Sequence, residues 1–255
     1  MAVLVCSPAA GRSPLCLNCH PTHHAGKGSC RTCHGGNPDA GRKEIAHHRL
    51  VAGRYARHTL GDVAEVRAGV KSIGHFACRR CHVVGGRGNR LSISLDLSAR
   101  HLEPERLAHA IRQPASAMPD FRMTDDQVTS VVNALLAEFG VSAKQAARAE
   151  RPRVVHFDVA GGAGGDPFSR QCGGCHRALS ERLGALGNGA VGPNLSGLFS
   201  AYYPLAYAGD TPWTPQRLEG WLANPRKMRP AATMRPMKVT PEEVREIGRI
   251  LSTDR

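Results

Sequence analysis

The sequence predicts a mainly α protein, in which two helical domains of one plan follow a loop-rich segment holding few helices. Three observations predict it. The stretches ending near residue 141 and beginning near residue 166 repeat one order: a Cys-x-x-Cys-His motif, a loop, a methionine and a capped amphipathic helix. The repeat is in register, because Met118 lies six residues before Thr124 and Met234 lies six before Thr240. Aromatic residues make up only 5% of 255 residues, whereas Cys and His number nine and thirteen, so something other than Phe and Trp must fill the interiors.

Along the chain, residues 1–11 read as a signal-peptide remnant. Met1 to Ala9 form an apolar tail with a small-x-small cleavage site at Ser7 and Ala9, and cleavage there would remove Cys6. Lipidation of Cys6 is the competing reading, weakened by the bulk of Val5 before it. Residues 12–58 hold two motifs too close together for two independent domains. Residues 59–141 form the first helical domain. Val63, Val66, Val70 and Ile73 keep helical spacing into Cys78, Pro104 opens a second helix that ends before Pro114, and Thr124 with Gln127 forms a capping box. The helix it caps carries a stripe of Val128, Val131, Val132, Leu135, Leu136 and Phe139. Residues 142–165 are a linker rich in Ala, Arg and Gly. Residues 166–255 repeat the helical plan, with a helix from Thr214 and a Thr240/Glu243 capping box before Val244, Ile247 and Leu251.

The cysteines carry the chemistry. Eight of them form four C-x-x-C pairs, each followed at once by His: Cys16 and Cys19 with His20, Cys30 and Cys33 with His34, Cys78 and Cys81 with His82, and Cys172 and Cys175 with His176. This is the pattern of c-type haem attachment. Two thiols at this spacing add to the two vinyl groups on one porphyrin edge, and the adjacent His swings beneath the ring to ligate iron. Zinc ribbons, disulfides and Cys-ligated iron–sulfur clusters use paired cysteines but give no reason for His after every second Cys. Four covalently bound haem c groups are therefore expected. Their apolar discs account for the scarcity of aromatic side chains.

In the first segment the sixth iron ligands must come from histidine, because no Met lies between Met1 and Met118. His23 and His47 are the first choices over their neighbours His24 and His48, with the haem each caps left open. His58, at the segment border, is expected to face solvent.

The two later repeats resemble class I cytochrome c domains, in which helices, the haem motif and a methionine turn wrap one haem. That resemblance covers residues 60–141 and 166–252, and it implies Met118 and Met234 as distal ligands opposite His82 and His176. Met234-Arg235-Pro236-Met237 departs from the usual Met-Pro turn, which makes Met237 a competitor. Met123 reads as core, and Met228 lies earlier in its loop. The head motifs together with the tandem class I repeats resemble the c-type cytochromes of selenite/tellurite reduction operons.

A formal charge of +13 from 34 Lys+Arg against 21 Asp+Glu raises nucleic acid as a partner. The charges are scattered and lack a stacking pattern of aromatics, so no nucleic-acid binding is expected. No apolar run approaches the roughly 18 residues of a membrane span, which leaves an N-terminal lipid as the sole route to a membrane. The expected role is electron transfer between redox partners, either other cytochromes or a membrane-associated complex, in an extracytoplasmic respiratory chain: periplasmic or at the outer surface. No acid/base constellation marks a catalytic residue. The alternative is a haem redox enzyme, a peroxidase or oxyanion oxidoreductase, with one open distal site.

Overall fold

A computed structural model describes residues 14–20, 22, 29–50, 53–60, 62–115, 118–137, 165–204 and 211–253. The signal remnant with Cys6, both His23 and His24, Phe139 and linker residues 142–164 lie outside the described residues. The described chain is helix-rich with little strand. It divides into a unit of residues 1–57 and a unit of residues 58–255.

The first unit is built from short pieces. A 3-10 turn at Leu15–Asn18, α1 (Cys30–His34) and α2 (Lys43–Ala46) are its helical elements. Backbone bonds tie them together: Leu15 N–H donates to Pro38 O at 2.8 Å, and Asn37 N–H to Ala46 O at 2.9 Å. Gly36 sits at φ +68° against Ala46 O, so close that a Cβ would stand 2.7 Å from that oxygen. Helices of one turn cannot form an amphipathic face, and Leu15, Leu17, Ile45 and Leu50 all remain exposed.

The second unit starts with α3 (Ala64–His75), α4 (Leu95–His101), α5 (Pro104–Arg112) and α6 (Asp125–Ala137). The α3–α6 crossing corrects the expected stripe. Val66 and Ile73 are buried as read, but Val70 is exposed and Gly69 takes the inner position. A Cβ on Gly69 would overlap the Ser130 carbonyl, so the absence of a side chain lets the two helix backbones meet. The α6 capping box forms in both directions: Thr124 N–H donates to Gln127 Oε1 at 2.9 Å, and Gln127 N–H to Thr124 Oγ1 at 3.3 Å. Val128, Val131, Val132, Ala134 and Leu135 behind it are buried.

His58 also departs from expectation. It is half-buried, and its backbone N–H donates at 3.0 Å to Oδ1 of Asn133, a fully buried side chain of α6. A buried amide needs its partners, and the chain entering the unit supplies one.

After residue 165 come α7 (Pro167–Gln171), an antiparallel hairpin of β1 (Ala178–Ser180) and β2 (Gly184–Leu186), α8 (Pro215–Ala223), α9 (Pro225–Met228) and α10 (Pro241–Leu251). Each of these four helices begins with Pro at its first turn behind an Asp, Thr or Asn cap. Phe168, Leu186, Leu198, Leu218, Leu222, Ile247, Ile250 and Leu251 form one buried cluster, which includes Cys172.

Candidate functional site

Three of the four motifs adopt the same turn. The His N–H donates to the carbonyl of the first Cys, four residues back, at 2.9 Å for His20, 3.0 Å for His82 and 2.9 Å for His176. The second Cys N–H bonds the same carbonyl at 3.2, 3.2 and 3.0 Å. Cys30, Cys33 and His34 lie on the single turn of α1, which imposes the same spacing. The turn folds the backbone of both cysteines and the His into one hydrogen-bonded loop. Cys16, Cys19, Cys30, Cys78, Cys81, Cys172 and Cys175 are all free thiols. Burial pushes Cys78 and Cys172 up to about 11. Cys81 is pushed up by burial too, against the Arg80 charge and hydrogen bonding to Ser196 and Arg80.

The two histidines of the second unit are held alike from outside their motifs. His82 Nδ1 donates to Ile93 O at 2.7 Å, and His176 Nδ1 donates to Pro193 O at 2.8 Å. A carbonyl can only accept, so the proton sits on Nδ1 and the Nε2 lone pair is left for a metal. Burial lowers the His82 pKa, which also favours the neutral ligating form. Gly192 packs flat on the His176 ring, and a Cβ there would overlap it. Paired thiols and an imidazole held through Nδ1 with Nε2 left open fit a covalently attached haem at both motifs, and at His176 Gly192 adds a cradle.

The methionines differ in their surroundings. Met118 is half-buried just before Pro119, and its N–H donates to Ala115 O at 2.8 Å. Met234 packs on the buried cluster, and its Sδ accepts a hydrogen bond from Trp221 Nε1 at 3.1 Å. Trp221 stacks edge-on against Trp213 at 5.6 Å between centroids. Met237 touches the same cluster, while Met228 is exposed at the end of α9 and Met123 is half-buried.

In the first unit the rings of His20 and His47 lie 5.8 Å apart between centroids, tilted by 40°. His48 is exposed. Gly53 lies against His34, where a Cβ would stand 3.3 Å from Cε1.

The two halves of the second unit also meet next to their motifs. Arg80, inside the first motif, is 7% exposed, and its Nη1 donates to Asn194 O at 3.0 Å. Asn89 Nδ2 donates to Arg80 O and to Ser200 Oγ, both at 2.8 Å. Leu91 and Leu179 are buried together with Cys81 and Ala185 against them. Sequence reasoning missed Ile93, Pro193, Trp221 and Arg80. The first two act through backbone carbonyls, which no residue type advertises; Trp221 could have been found, since it precedes Met234 on a helix-forming stretch.

No curated protein and no solved structure matches the chain. Residues 64–133, from the first residue of α3 into α6, match the family described as cytochrome C oxidase, cbb3-type, subunit III. That span contains Cys78, Cys81, His82 and Met118. A cytochrome c domain therefore lies at residues 64–133; it implies covalently bound haem c and haem-based electron transfer to other redox proteins.

Proposed function

We propose that the protein is a tetrahaem c-type cytochrome that carries electrons between redox partners outside the cytoplasm. The observation that carries this reading is the shared proximal geometry. Three motif turns share one backbone pattern, with the His and the second Cys both donating to the first Cys carbonyl, and in the two repeats a backbone carbonyl holds the histidine with Nε2 free. Haem, when bound, supplies reversible one-electron exchange at iron. The chain's residues do the rest. Cys16/Cys19, Cys30/Cys33, Cys78/Cys81 and Cys172/Cys175 anchor the porphyrin edges, and His20, His34, His82 and His176 are the proximal ligands.

On the distal side, His47 is the partner of His20. Its ring is the one that lies beside that of His20, 5.8 Å away between centroids, and the pair would hold the iron of that motif. His23 is the first choice for the second head haem. Met118 and Met234 serve His82 and His176; the sulfur of Met234 is oriented by Trp221, an anchor that Met237 lacks. Thioether ligation raises a haem potential relative to bis-His ligation, so the head pair forms the low-potential end. An extracytoplasmic place is supported by the attachment chemistry, which bacteria carry out on the outer side of the cytoplasmic membrane. The terminal substrate suggested by the head motifs is an oxyanion, selenite or tellurite, or a metal.

The second reading, a haem enzyme with a displaceable distal ligand, is favoured by one observation: Met234 and Met237 both pack on the cluster beside Cys172. Electron paramagnetic resonance with a carbon monoxide titration of the reduced protein separates the two. Four low-spin irons that bind no carbon monoxide are expected of the carrier. One high-spin iron, or one carbon monoxide bound per chain, makes it an enzyme.

A further inference from the structure

We propose that Arg80 is a positioning residue shared by two haem motifs, so that the redox potentials of the His82 and His176 sites are set together. This rests on the reading that both motifs carry haem. Arg80 stands between Cys78 and Cys81 and points away from its own half. Its Nη1 reaches Asn194 O at 3.0 Å, and its guanidinium carbon lies 5.6 Å from the centre of the Tyr203 ring. Tyr203 Oη donates to the same Asn194 carbonyl at 3.3 Å. The preceding residue, Pro193, is the one whose carbonyl holds His176 Nδ1. A side chain of one attachment loop thus pins the peptide segment that fixes the proximal histidine of the other.

The charge on Arg80 is equally telling. Among the described residues no carboxylate pairs with it, and its Nε is buried without a hydrogen-bond partner. A buried charge is costly to hold and its field reaches far, because little water is near to screen it. A fixed positive charge disfavours the ferric state of any iron nearby, and in a low-dielectric interface it acts over more than one residue's reach. The interface is apolar nearby: Leu91 and Leu179 are buried, with the partly buried Cys81 and Ala185 packed against them. Gly197, at φ +65°, lets the second half approach; a Cβ there would press on Arg80 O at 2.8 Å. Arg79, one residue earlier, bonds its own half instead, donating from Nε to Val84 O at 3.1 Å.

The test is a potentiometric titration of the haem-loaded protein, with the axial-ligand proton resonances of each haem followed by paramagnetic NMR. Arg80→Gln is expected to lower both midpoints, each by about threefold in reduction equilibrium, or ~28 mV at 59 mV per decade for one electron. Arg79→Gln is expected to lower the His82 midpoint alone. The His176 ring resonances should move in Arg80→Gln and stay in place in Arg79→Gln, a response that loss of packing at the His82 site would not produce. If Arg80→Gln lowers only the His82 midpoint, the charge acts locally and the proposal is wrong. Should that variant load haem poorly, Arg80→Lys keeps the charge but loses the planar fork. It is expected to lower the His176 midpoint by a smaller amount, and an unchanged His176 midpoint overturns the proposal. Absence of haem at either motif in the unaltered protein, seen first in the haem count, would instead defeat the functional reading.

Discussion

The two halves of the second unit hold their motif histidines the same way and differ on the side where the methionines lie. Ile93 is eleven residues beyond His82, and Pro193 is seventeen beyond His176, with the β1–β2 hairpin occupying the longer loop. Despite unrelated loop sequences, each ends with a carbonyl 2.7–2.8 Å from Nδ1. The proximal side is thus built from backbone, and sequence can change there without changing the chemistry. At the methionines, side chains make the difference. Met234 has an indole donor on its sulfur, while Met118 sits in a plain Met-Pro turn before Phe121, which packs on Phe76 at 5.3 Å. Proximal geometry sets that an iron can bind, and distal neighbours set how readily it is reduced.

Substitutions on either side of the histidines and methionines separate the two roles. The largest effect is expected from Gly192→Val, which drives a side chain into the His176 ring; haem ligation in the second half should be lost, leaving three haems of unaltered spectrum per chain. Val191, 89% exposed beside it, should tolerate Val191→Ala with no change in haem spectrum. Next, Met234→Leu should open one site and let the reduced protein bind one carbon monoxide, whereas Met237→Leu should bind none. The reverse result would move the ligand to Met237. Trp221→Phe is subtler. A hydrogen bond donated to sulfur weakens its donation to ferric iron, so its loss should lower the His176 midpoint by about threefold in reduction equilibrium, ~28 mV, with the His82 midpoint unmoved. The smallest effect concerns the fold. Thr240→Ala removes the cap of α10, whose Oγ1 accepts from Glu243 N–H at 3.2 Å, and should cost about 1 kcal/mol in denaturant unfolding.

What was legible in the sequence follows the same divide. Capped helices with apolar stripes were readable because their signals are local: Thr124/Gln127 and Thr240/Glu243 both close as boxes. The motifs were readable because chemistry demands fixed spacing. Val70 misled because period alone does not say which helix face meets a partner, and the partner's approach depended on Gly69, which has no side chain to mark a buried position. Helix α4 went unread because seven residues carry too short a period, although Ser94 caps it by accepting from Leu97 N–H. The contacts of Arg80 join residues 114 apart, and no local pattern reports them. In the first unit the short elements have no periodicity to read, so histidine supply was the guide, and of its choices the structure brings His47 beside His20.

The number of the four motifs that carry haem decides between a tetrahaem wire and a smaller cytochrome. Intact mass of the haem-loaded protein, with a pyridine haemochrome assay on the same sample, measures this directly. Four covalent haems per chain, with all eight motif cysteines protected from alkylation, is the predicted result. Fewer haems, with free thiols at Cys16, Cys19, Cys30 or Cys33, would contradict it and leave the head a segment of another kind.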